Sequence, residues 1–359
     1  MLASQVPMFK HINSLTPPSL SPERRLAIVA AFVLISALTV PLWAGSGTMR
    51  TLVEFIYLLA LAQMWNLLAG YAGMVSIGQQ AWIGLGGYAM IVLADDLGIN
   101  VFVAVFLAGL VAVLFALPTA VLVFRLRAGY FAIGTWVIAE VFRLLIASST
   151  TWLQGESGRT LAALGEIARS TREIWTYLIA IIIGFGSIAL VYYLMRSKPG
   201  LGLTATRDSE GAAASVGIDT YRLKLMVFLL CAFGTGVIGA LIYLTVLNIR
   251  PSAAFSVQWT AFMIFIVVIG GIGTIEGPII GAVIFFIIRE YLSNFGEWSF
   301  IFLGVTAVVM MLFMPQGVWG LLHRRFDLEL FPVRRRLPAH LLTATPAALE
   351  QSGGIKEPA

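Results

Sequence analysis

Charge is scarce in this chain. Only 11% of its 359 residues are Asp, Glu, Lys or Arg, where soluble domains carry about 25%. With 59% apolar residues and a mean hydropathy of +0.92, that scarcity excludes a soluble globular protein. Cysteine is all but missing, and Cys231 alone rules out an internal disulfide or a disulfide-stapled scaffold. Histidine is confined to His11, His323 and His340, near the chain ends and at no metal-ligand spacing, so neither a metal nor a cofactor is expected. Lysine occurs only at Lys10, Lys198, Lys224 and Lys356, and none precedes Ser or Thr. The phosphate-binding P-loop is therefore lacking and ATP is not bound in that way. No segment between the apolar runs is long enough to be a soluble domain, so an enzymatic or ATP-binding domain must sit on another chain. Carboxylates and histidines deep in apolar runs are too few for a proton relay, which favours an external energy source.

What the chain has instead is long apolar stretches. These run continuously and do not alternate, which favours helices over a β-barrel. By apolar length, spans are predicted at 26–44, 51–69, 71–94, 101–124, 129–147, 175–195, 225–247, 258–276, 278–293 and 297–321. The fold class is thus an all-α polytopic membrane protein of about ten transmembrane helices. The third and ninth are glycine-rich and are the candidates for broken or re-entrant segments. The domains read as a polar tail over 1–25, a membrane domain over 26–321 and a basic tail over 322–359. Within the membrane domain lie an outside loop (148–174) and a longer inside loop (196–224). Of the 23 basic residues, sixteen fall on the side of the N-terminus, six on the other, and Arg143 within a span. That bias puts both termini in the cytoplasm. It also accounts for the net charge of +5 without invoking nucleic acid.

Three segments carry chemistry. Residues 66–90 read NLLAGYAGMVSIGQQAWIGLGGYAM, with Gly73, Ser76, Gly78 and Gln79 at membrane depth. Glycine there permits either close helix packing or a break that marks a pathway. Residues 267–283 read VVIGGIGTIEGPIIGAV, with Gly271, Gly273 and Gly277 beside the lone charge of Glu276. One such segment in each half hints at an internal pseudo-repeat. Residues 206–218 read TRDSEGAAASVGI, where the alanines favour a short helix, bounded upstream by Pro199 and Gly200. Charged and small side chains on it suit docking into a partner's cleft, or else a solvated connector. Glu140 and Arg143, three apart on one helix, can pair with each other.

These stretches, with RLRAGYFAIGTWVIAEVFRLL at 125–145 and LFMPQGVWGLL at 312–322, resemble the permease subunits of branched-chain amino acid ABC importers, in their LivM-type branch. The resemblance spans roughly residues 50–322. It implies a transmembrane subunit in the bacterial inner membrane, paired with a second related permease, two cytosolic ATP-binding subunits and a periplasmic substrate-binding protein. It implies that Arg207, Asp208, Glu210, Ala212, Ala213 and Gly217 couple to an ATPase. Gly73, Ser76, Gly78, Gln79, Gly271, Gly273, Glu276 and Gly277 would then lie on or near the translocation path. The outside loop reads TTWLQGESGRTL, where the family more often has a Gly-Gly-rich pattern ending in Gly-Leu; Gly155, Ser157 and Gly158 keep that character. Urea and short-chain amide permeases share most of these motifs and stand as the alternative substrates. An ion-coupled secondary transporter is the alternative of a different class.

Overall fold

The computed structural model describes residues 22–331 apart from 128, 166, 293–295, 297, 315 and 327–329. Most of the expected N-terminal tail and the basic tail beyond Phe331, including His11, His340 and Lys356, lie outside the described residues. The chain is an all-helical membrane protein. In order it forms α1 (Pro22–Trp43), α2 (Ser46–Asn66), α3 (Gln80–Ile91), α4 (Val101–Val123), α5 (Gly129–Ser148), α6 (Arg169–Arg196), α7 (Lys198–Asp208), α8 (Glu210–Ser215) and α9 (Thr220–Val246). It continues with α10 (Pro251–Ala254), α11 (Val257–Gly270), α12 (Glu276–Leu292), α13 (Trp298–Phe313) and α14 (Gly317–Phe326). Two π-helical turns, Leu67–Tyr71 and Val92–Asp96, extend α2 and α3.

Among the described residues, eight helical stretches are long and apolar enough to cross a membrane. The two expected spans outside that set are the glycine-rich ones. The third does not begin at residue 71: residues 72–79 are irregular and α3 starts only at Gln80. The ninth is α12, a 17-residue helix. Two further expected spans are interrupted. The eighth ends at Gly270 rather than 276, and in the tenth α13 ends at Phe313 and α14 begins at Gly317.

Burial ranks the helices. In α2 78% of the span is buried, in α9 67%, but in α1 only 6%. The centre is therefore α2, α3 and α9, with α4 laid against α9. Without a hydrophobic drive between helices in lipid, close approach of small residues supplies the attraction. On α4 an alanine recurs every fourth residue (Ala104, Ala108, Ala112, Ala116 and Ala120), and each is fully buried. A methyl on Gly236 of α9 would stand 2.6 Å from Ala112 Cβ. The opposite face of α4 carries Leu110, Leu114, Leu117 and Leu122, exposed as a lipid-facing surface requires. Pro118 stands inside this helix, and Thr119 Oγ1 donates to Phe115 O at 2.8 Å in the same turn.

Contacts sort the connections to two ends. At one end Asp95 Oδ1 accepts from Ala163 N at 2.8 Å, and Asp96 Oδ2 accepts from Trp152 Nε1 and Arg159 Nη1, both at 2.9 Å. Hydrogen bonding from Arg159 holds the Asp96 carboxyl below the usual carboxylate range. There too β1 (Arg159–Thr160) pairs antiparallel with β2 (Asn248–Ile249) in the register Arg159↔Ile249. Arg143 donates to Glu140 and to Glu156, joining α5 to the same loop. Glu54, in the first half of α2, accepts from Arg289 Nη1 of α12 at 2.5 Å. The other end gathers residues 66–76, 198–219, 271–276 and 316–326, with Phe331.

Candidate functional site

The two glycine-rich segments are both breaks, and they meet. α2 ends in the π-turn Leu67–Tyr71, after which Gly73 takes φ +70°, a left-handed conformation that glycine adopts without strain. Residues 73–76 then alternate exposed and buried: Gly73 and Val75 face out, Met74 and Ser76 face in. Irregular backbone among membrane helices must find partners within the protein. Here it does so through side chains. Trp65 Nε1 donates to Ser76 O at 2.9 Å, Thr135 Oγ1 accepts from Ile77 N at 3.2 Å, and Ser76 Oγ accepts from Gly78 N at 3.2 Å. Gly78 sits against the backbone of Thr135 where no Cβ fits. Gln79 accepts from Thr235 Oγ1 of α9 at 3.3 Å, midway along that helix. Gln80 accepts from Thr260 Oγ1 of α11. α3 thus starts inside the bundle and not at its surface.

The second break, 271–275, lies between α11 and α12. Gly271 has φ +130° and Gly273 φ +75°. Asn66 of α2 holds this loop by both ends of its amide: Nδ2 donates to Thr274 O at 2.7 Å, and Oδ1 accepts from Gly273 N at 2.8 Å. One turn earlier, Gln63 Nε2 donates to Ile275 O at 2.9 Å. Thr274 Oγ1 accepts from Gly277 N at 3.0 Å and opens α12. Gly273, Gly277 and Gly281 therefore do not share one helix. Gly277 and Gly281, on α12, lie close to Gly271 and Ile266, so the small residues bring α11 and α12 together. Glu276 accepts from Phe331 N at 2.9 Å, and a methyl on Gly317 would stand 2.5 Å from Gly271 Cα. The segment after α13 thus covers the break from outside.

The third expected segment is two helices. Pro199 and Gly200 lie in the first turn of α7 rather than ahead of a helix, a position proline tolerates. Ser209 separates α7 from α8, its Oγ accepting from Ala212 N at 3.3 Å as an N-cap. Arg207, Asp208, Glu210, Ala212 and Gly217 are exposed, while Ala213 is buried. Glu210 pairs with Lys224 Nζ of α9 at 2.6 Å. Arg207 turns the other way. Its Nη1 donates to Gly70 O at 3.0 Å, and its side chain lies beside Gly73 and Gly273. The structure thereby brings Gly73, Gly273 and Arg207 together, with Ser76, Gly78 and Gln79 reaching into the bundle and Glu276 under the C-terminal segment. Gln63 and Asn66 were not legible as site residues. Two amides three apart in an otherwise apolar run were the signal available. Among the described residues no group of three metal-ligating side chains comes together.

A helical bundle with two half-helices starting at breaks that are tied together is a multi-pass membrane protein of the transporter class. Comparison with known proteins specifies it. The family model described as branched-chain amino acid transport system / permease component matches residues 47–314, and the chain belongs to that family. It is 29% identical over 322 residues to the high-affinity branched-chain amino acid transport system permease protein LivM of Salmonella typhimurium, covering 82% of this chain and 75% of that protein. The LivM protein of Escherichia coli K12 is 28% identical over the same shares. The LivH permease protein of Salmonella typhimurium is 27% identical over 173 residues, 47% of this chain and 52% of that one. No solved structure matches. The chain is a transport permease.

Proposed function

We propose that this chain is the LivM-type membrane subunit of an ABC importer for branched-chain or related hydrophobic amino acids. Its partners are a second, related permease, two cytosolic ATP-binding subunits and a periplasmic substrate-binding protein, in a bacterial inner membrane. The observation that carries the reading is the exposed α7–α8 segment at the same end of the bundle as both breaks. A motion imposed on it by a partner is passed to the breaks that precede α3 and α12. Charge supports the sidedness. Arg125, Arg127, Arg196, Lys198, Arg222, Lys224, Arg324 and Arg325 flank helix ends on the side of the α7–α8 segment, the cytoplasmic side by the positive-inside bias. Both termini then face the cytoplasm.

The mechanism is alternating access. Reversing a 1:99 equilibrium to 99:1 needs about 5.5 kcal/mol of differential binding, which ATP on the partner subunits supplies. The path, in this reading, runs past Gly73, Ser76, Gly78, Gln79, Gly271, Gly273, Glu276 and Gly277. The coupling surface is Asp208, Glu210, Ala212 and Gly217 together with Arg207; Ala213, expected on it, is buried and packs beneath it. The test is uptake of labelled leucine, glutamate and urea into vesicles holding the complete complex, with and without ATP. Leucine uptake that requires ATP and every subunit is the expected result. Urea uptake without leucine uptake moves the chain to the amide branch, and concentrative uptake by the chain alone on an ion gradient overturns the proposal.

A further inference from the structure

We infer that Arg207 is a positioning residue that ties both glycine breaks to the α7–α8 segment, so that α3 and α12 respond as one unit. The inference rests on the coupling role proposed for that segment. The guanidinium is used on two sides. Nε and Nη2 engage Asp208 Oδ1 at 3.0 Å and 2.9 Å, within the segment itself. Nη1 crosses to Gly70 O at 3.0 Å, a carbonyl of the π-turn that ends α2. Only a planar fork of donors serves two such acceptors at once; a lysine ammonium on its flexible stem acts as a point charge.

From Gly70 the linkage continues without a gap. Asn66, one turn back on α2, grips Gly273 N and Thr274 O, and Gln63 grips Ile275 O. Gly70 itself has no room for a side chain: a methyl there would stand 2.6 Å from Gly273 N. Arg207 closes the triangle, because a methyl on Gly273 would lie 3.4 Å from Nη1 and one on Gly73 3.2 Å from Arg207 Cγ. Displacing α7 with the Arg207–Gly70 bond intact therefore carries the first break directly and the second through Asn66 and Gln63. Asp208 orients the guanidinium while remaining exposed.

The experiment measures substrate imported per ATP hydrolysed by the complete complex in proteoliposomes. Arg207→Gln removes a charge-assisted hydrogen bond at a partly exposed site and leaves the buried bundle untouched. Its import per ATP is expected to fall about tenfold, the weight of one such bond, with hydrolysis retained, and Arg207→Lys is expected to fall between. An unchanged ratio, or uptake and hydrolysis falling together, overturns the inference. A double-mutant cycle with Gln63→Met, a swap of similar volume, tests the single unit: non-additive effects on the ratio are expected, and additive ones overturn it. Should Arg207→Gln transport normally while Glu210→Lys does not, the coupling role stands and the Arg207 linkage falls.

Discussion

Gly86 of α3 and Gly236 of α9 touch backbone to backbone: a methyl on Gly86 would overlap the carbonyl oxygen of Gly236. That oxygen belongs to a helix that is itself held by the alanine face of α4, so it has nowhere to retreat. Gly86→Ala is expected to lower the thermal stability of the detergent-solubilised protein, by an overpacking cost of ~1–3 kcal/mol. Gly186 of α6 has nothing within 4 Å of its would-be methyl. Gly186→Ala should leave stability unchanged or raise it by ~0.5–1 kcal/mol, the helix-interior preference for alanine. Equal melting temperatures for the two variants would contradict the close contact.

Gly73 and Gly98 both have left-handed backbones, φ +70° and +64°, but only Gly73 has a neighbour, the Arg207 side chain. Alanine at either site bears a conformational strain of about 1–2 kcal/mol. Stability should therefore fall similarly in both variants. Uptake by the assembled importer should fall only for Gly73→Ala. Comparable uptake in the two would show that the neighbourhood of Gly73 plays no part in transport.

Glu210 is more than half exposed and its pair with Lys224 is of the surface kind, worth about 0–1 kcal/mol. Glu210→Lys should consequently insert and fold as the parent does. Transport is expected to drop severely because the substitution reverses charge on the proposed docking surface. Normal uptake by this variant would remove Glu210 from that surface.

At the opposite end, the Asp96 carboxyl is depressed by Arg159 first and by Trp152 second. A lowered folded value contributes stability that is present above the unfolded value, about 3.9, and is lost as pH falls through the folded one. Protease nicking in residues 149–168 should therefore increase in acid, below about pH 4. Asp96→Asn should make that loop equally accessible across the range. A parent protein whose loop shows no acid step would argue against the Asp96–Arg159 tie.

The helical class and the positions of most spans were legible because apolar length is a one-dimensional property. Glycine density marked the two segments, but it left close packing and a break equally open. Their meeting was not legible. Asn66 and Gly273 are 207 residues apart, and nothing in local periodicity encodes which buried amide a distant loop will use. The direction of Arg207 was hidden for a similar reason. Beside Asp208 and Glu210 it reads as one more charge on an exposed helix, and only the position of Gly70 shows that one of its nitrogens reaches inward. The alanine row on α4 lay in plain view at four-residue spacing, but in so apolar a run it does not stand out from the leucines around it.

The first helix stands apart from this architecture. α1 is almost unburied, with Tyr177 of α6 donating to its Ala37 O at 2.9 Å, and the family match begins only at residue 47. The interior is thus assembled by α2 and the later helices, with Val40 the α1 side chain that enters it. Deleting α1 would therefore strip an outer apolar layer and leave the packing of α2, α3 and α9 standing.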